Sequence, residues 1–113
     1  MTDSASDRSA PDATREIQRR IREIPPTDPN RELPPLMVAL GQAQSATGDR
    51  LGAVESIERA VALYEALDDT PGLARALSNL AVFRSEIGDR LAAVESIERA
   101  VALYEALDDT PGL

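Results

Sequence analysis

The chain is 113 residues long with 42% hydrophobic side chains, enough for one small domain and too short for two independent cores. It has no cysteine or histidine, and its 12 basic residues are all arginine, so disulfides, thiolate and imidazole chemistry, Cys/His zinc sites, lysine Schiff bases and phosphate-loop lysines are excluded together. Twenty acidic residues set the net charge at −8, which opposes the phosphate neutralisation that nucleic acid demands and disfavours an anionic membrane surface.

The first residues, Met1-Thr2-Asp3-Ser4-Ala5-Ser6-Asp7, lack the basic region and apolar run of a secretory signal. No apolar stretch approaches the roughly 20 residues of a membrane-spanning helix, so a cytoplasmic location is expected. Residues 1–11, rich in Ser, Asp and Ala, read as a disordered tail. Residues 12–33 read as an N-terminal capping helix and linker. Ile17, Ile21 and Ile24 fall on one helical stripe, Pro25-Pro26 end it, and Thr27-Asp28-Pro29-Asn30 connect onward. Pro34 and Pro35 are expected in the first turn of the next helix.

From there the chain repeats itself. Residues 48–73 and 88–113 agree at 25 of 26 positions, Gly52 against Ala92 being the exception, with a period of 40. The preceding segments, 34–47 and 74–87, agree at only 2 of 14 positions, Leu40/Leu80 and Ser45/Ser85. Each unit reads as two helices. Thr70 is expected to cap a helix with Pro71 at its first position. Leu73, Leu77, Leu80, Arg84 and Ile87 then recur at helical spacing, with Ala76 and Phe83 alongside. Gly88 supplies a left-handed stop, and Asp89 caps a second helix over about 90–107. Its apolar face carries Val94, Ile97, Val101 and Tyr104, while Glu95 and Arg99, like Glu55 and Arg59, are spaced to pair on the wet side. The domains expected are repeat 1 over 34–73, repeat 2 over 74–109, and the start of a truncated third repeat over 110–113.

Helix pairs with small residues where they cross resemble the tetratricopeptide repeat family. The crossing positions are Gly41, Ala53 and Ala60 in one unit and Ala81, Ala93 and Ala100 in the next. The larger positions Met37, Leu40 and Ile57, then Leu77, Leu80 and Ile97, match as well, and Ala76–Ala81 looks like the family's Ala-Leu-x-Asn-Leu-Gly segment. The common period is about 34 residues, so this chain is similar to longer variants of the kinesin light chain or Leu-Gly-Asn type. Gln44 and Arg84 stand where the family has an aromatic residue. HEAT-type repeats share the longer period and are the alternative fold. The class expected is all-α: an α-solenoid of antiparallel helix pairs, two full repeats plus an N-terminal helix.

No catalytic constellation emerges. Glu55/Glu58 and Glu95/Glu98 sit on single helix turns rather than across a cleft. Asp68-Asp69 and Asp108-Asp109 lack the ligand series of a calcium loop, and Ser56 and Ser96 have no base. No enzyme activity, metal or cofactor is expected. The resemblance implies a protein-interaction scaffold that holds a peptide or helix on its concave wall, with Gln42, Arg75, Ser78, Asn79, Val82 and Glu86 facing the partner. Asn79 stands where the family often bonds a peptide backbone. Because the helix at 90–107 nearly copies 50–67, its apolar face is expected to support self-association through Val101, Tyr104 and Leu107. A self-assembling structural segment, or part of a larger signalling or regulatory protein, is the alternative role.

Overall fold

In the computed structural model the described residues are 5–25 and 29–108, with side chains described over 12–25 and 32–108. They form five α-helices: α1 (Ala5–Arg22), α2 (Pro29–Ala46), α3 (Arg50–Ala66), α4 (Thr70–Glu86) and α5 (Arg90–Asp108). Each helix packs on the next in chain order, α1 on α2, α2 on α3, α3 on α4 and α4 on α5. The result is an elongated body of 60 × 38 × 22 Å with no strand among the described residues.

One turn design joins the last four helices. Asp49, Asp69 and Asp89 recur every 20 residues. Asp49 and Asp69 each accept the Gly52 and Gly72 backbone N–H at 3.0 Å, and Asp89 accepts that of Ala92 at 3.3 Å. Before each aspartate sits a left-handed residue, Gly48 at φ 90°, Asp68 at φ 56° and Gly88 at φ 86°. The aspartate N–H then donates back to the carbonyl of Gln44, Tyr64 or Arg84, which satisfies a carbonyl the helix end leaves open. The cap of α4 is therefore Asp69, not Thr70. Pro71 has no N–H to offer, so the capping bond must reach Gly72, three residues beyond Asp69.

The Gly52/Ala92 difference has a local consequence. A Cβ at position 52 would stand 2.3 Å from the Asp49 carboxylate. Where Ala92 does carry one, the equivalent capping bond is longer.

The N-terminal half departs from the reading of its sequence. Helix α1 begins at Ala5 rather than Asp12, because Ala5, Ala10 and Ala13 favour helix over the tail that the Ser/Asp content implied. Helix α2 begins at Pro29, which places Pro34 and Pro35 inside the helix rather than in its first turn. Both lack the N–H that would reach Asn30 and Arg31. Burial supports this arrangement, since Pro34 is among the most deeply buried side chains. The linker residues 26–28 and the expected third-repeat start, 109–113, lie outside the described residues.

The core is aliphatic and thin. Ala53, Ala60, Ala74, Ala76 and Ala100 are fully buried, with Ile57, Leu77 and Leu80 filling the space between helices. At Gly41 a Cβ would lie 2.9 Å from Ile57 Cδ1 and 3.2 Å from the Ala53 carbonyl oxygen. Helices α2 and α3 thus cross almost backbone to backbone, an approach that only the smallest residues permit. Ile17 and Ile21 of α1 pack against this core half-buried.

Candidate functional site

Three features set the relative placement of the helices. The first is a polar latch across each repeat. Ser56 Oγ donates to Gln44 Oε1 at 2.6 Å, and in the second repeat Arg84 donates from Nη1 to Ser96 Oγ at 2.7 Å. Both serines are buried, so each needs a partner. Gln44 and Arg84 supply it from the positions where the family carries an aromatic ring. Arg84 also donates to Glu58 at 3.0 Å, tying α4 to α3.

The second feature is the seam between repeats. The Tyr64 ring, on α3, lies against Gly72 of α4 so closely that a Cβ there would be 2.4 Å from it. Burial pushes the Tyr64 hydroxyl above its ordinary pKa, while Arg75, charged and hydrogen-bonded to it, pulls in the opposite direction. The third feature is a bond between the two first helices of the repeats, in which Ser45 Oγ donates to Glu86 at 3.3 Å. Arg99, expected to pair with Glu95 on its own helix, instead reaches Glu65 of α3 at 2.8 Å. The stacking of α5 beside α3 brings that carboxylate within reach.

These contacts shape a groove between α2 and α4 of about 250 Å³, lined by Pro35, Val38, Gln42, Tyr64, Gly72, Arg75, Ala76 and Asn79. Three of the residues expected to meet a partner, Gln42, Arg75 and Asn79, come together here. Gln42 and Arg75 are exposed and Asn79 is half-buried. The groove therefore offers two amides and a guanidinium above an apolar floor. Ser78 is half-buried and donates to the carbonyl of Ala74 one turn back at 3.1 Å. Val82 and Glu86 stand apart, lining a second groove between α4 and α5 with Ser85, Val94 and Ile97. Among the residues expected in self-association, Val101 and Tyr104 are exposed and Leu107 is half-buried.

The Gln44 and Arg84 latches were missed from the sequence, although the constant 12-residue spacing to Ser56 and Ser96 was there to be read. Among the described residues no group of acidic side chains could hold a metal ion, and no helix is long and apolar enough to cross a membrane.

Stacked antiparallel helix pairs with glycine- and alanine-lined crossings define a helical-repeat solenoid. The tetratricopeptide repeat family matches over residues 33–106, well over half of the chain, and the chain belongs to that family. No curated protein and no solved structure matches it. Tetratricopeptide repeats are scaffolds that mediate protein–protein interaction.

Proposed function

We propose that the chain is a non-catalytic interaction module that holds an extended peptide in the groove between α2 and α4. The observation that carries this reading is the convergence of Gln42, Arg75 and Asn79 on one apolar-floored groove. Side-chain amides both donate and accept, so Gln42 and Asn79 can follow a peptide backbone independently of its sequence. Arg75 supplies a cation on a chain of net charge −8 and selects an acidic group beside the bound segment. Val38 and Ala76 give a neighbouring apolar side chain a surface. Binding of this kind is passive: the groove is built before the partner arrives, so little ordering cost falls on the module.

The test is selection of a random peptide library displayed on phage against the 113-residue chain, followed by affinity measurement with Gln42→Ala, Arg75→Ala and Asn79→Ala. Loss of one amide contact corresponds to about a fivefold weakening, and Arg75→Ala lowers preference for acidic peptides. Failure to enrich any peptide, or enriched peptides indifferent to all three substitutions, overturns the assignment.

A further inference from the structure

Two clefts of the molecule share a design and differ in charge. One, of about 300 Å³, lies where α1, α2 and α3 meet and is lined by Gln18, Ile21, Arg22, Met37, Leu40 and Arg59. Five of these six positions recur 40 residues later around a cleft of about 270 Å³ between α3, α4 and α5, with Glu58 for Gln18 and Arg99 for Arg59. The two clefts can therefore be compared residue by residue.

The later cleft satisfies its own charges. Arg99 reaches Glu65 at 2.8 Å and Arg84 reaches Glu58 at 3.0 Å. In the earlier cleft the same offset puts Gln18 at the position of Glu58 and Pro25 at that of Glu65, so α1 supplies neither carboxylate. Arg59 is the sequence copy of Arg99, yet among the described residues it forms no ion pair, not even with Glu55 one turn back on its own helix. Arg22, at the position of Ala62, brings a second guanidinium that is equally unpaired among the described residues. It sits in the last turn of α1, where the carbonyl end of the helix favours a cation. Met37 and Leu40 behind the arginines are buried, and Ile21 is half-buried. Two uncompensated cations and an amide thus border an aliphatic floor, on a chain whose net charge is −8.

We infer that the cleft between α1 and α3 docks an acidic segment of a partner protein, in which a glutamate or aspartate lies next to an aliphatic residue. The carboxylate pairs with Arg59 and Arg22 as Glu65 pairs with Arg99, and the aliphatic side chain covers Ile21. Nucleic acid would bring phosphates to the same arginines, but its long polyanion would also meet the 20 acidic residues of the chain, whereas a short segment meets only the cleft. The cleft shares no lining residue with the groove between α2 and α4, so either can be disabled without the other.

The test is fluorescence anisotropy of the 113-residue chain, at low ionic strength, with a fluorescein-labelled decapeptide of alternating glutamate and leucine. Saturable binding is expected, weakened about tenfold when glutamine replaces every glutamate. Arg22→Gln and Arg59→Gln, both at exposed positions, each weaken it about two- to fivefold and leave far-UV circular dichroism unchanged. Gln18→Glu weakens it as much, because the new carboxylate takes up Arg22 one turn on. Arg99→Gln has no effect, since Glu65 already holds that guanidinium. Absence of binding, indifference to Arg22→Gln and Arg59→Gln, or an equal loss with Arg99→Gln overturns the proposal. Loss of binding with Gln42→Ala or Asn79→Ala instead overturns it by placing the peptide in the groove between α2 and α4. So does equal affinity for a peptide with serine in place of leucine, which reduces the arginines to a plain anion contact. A chain that is dimeric by light scattering and becomes monomeric with Arg59→Gln also overturns it, by putting a second copy in the cleft.

Discussion

Gly72→Ala tests the seam between the repeats. The added methyl would begin 2.4 Å from Tyr64 Cε1 and 2.5 Å from Cδ1, with Asp69 Oδ2 at 3.0 Å. The ring cannot simply swing away, because Tyr64 is buried within the core cluster. Either α4 shifts on α3 or the ring leaves its place, and overpacking of this kind costs about 1–3 kcal/mol. Alanine returns up to about 1 kcal/mol through helix preference, and less this close to the helix start. The net expectation is a loss of about 1–2 kcal/mol, which lowers the midpoint of a thermal melt by about 5–10 °C for a domain this size. Circular dichroism at 222 nm reads the melt. A double-mutant cycle with Tyr64→Ala isolates the contact: without the ring, Gly72→Ala becomes neutral or mildly stabilising. A higher melting temperature for Gly72→Ala in the native background would refute the close packing of the two repeats.

Three further predictions concern the turns and the seam. Asp68→Gly places glycine at the left-handed position that Gly48 and Gly88 hold in the other turns. It stabilises the chain by about 0.5 kcal/mol, read by urea denaturation, since aspartate tolerates this conformation less well than glycine. Asp69→Ala removes the α4 cap and costs about 1 kcal/mol in the same assay. Tyr64 ionises above the ordinary tyrosine value of 10. The Tyr64 contribution to stability is therefore intact below pH 10 and declines as pH rises through the folded-state value, because the unfolded chain gives up the proton first. Ultraviolet titration of the native chain against Tyr64→Phe checks this, and a Tyr64 transition below pH 10 contradicts it.

Much of the fold is legible in the sequence because duplication prints it twice. The 40-residue period, the alanines at 53, 60, 93 and 100 and the recurring Gly-Asp turns fix helix pairs and their crossings with little need for coordinates. The N-terminal half is less legible, since no second copy of it exists to set a register. There the helix preference of Ala5, Ala10 and Ala13 and the burial of Pro34 outweigh local signals of disorder and helix start. Long-range pairings were hidden for another reason. Arg99 pairs with Glu65 of α3 rather than with Glu95 one turn back on its own helix, and a partner 34 residues away leaves no local pattern in the sequence. The wall residues divide similarly: Gln42, Arg75 and Asn79 share one groove while Val82 and Glu86 line the next, a division that only the packed helices display.

The most direct measurement of the interaction role is a 1H–15N correlation spectrum of the isotope-labelled chain, titrated with the tightest peptide from phage selection. Perturbations concentrated on Gln42, Arg75, Asn79 and the flanking turns of α2 and α4 are the predicted result. A bound peptide that leaves those amides in place and perturbs only α1 or the outer side of α3 would contradict it.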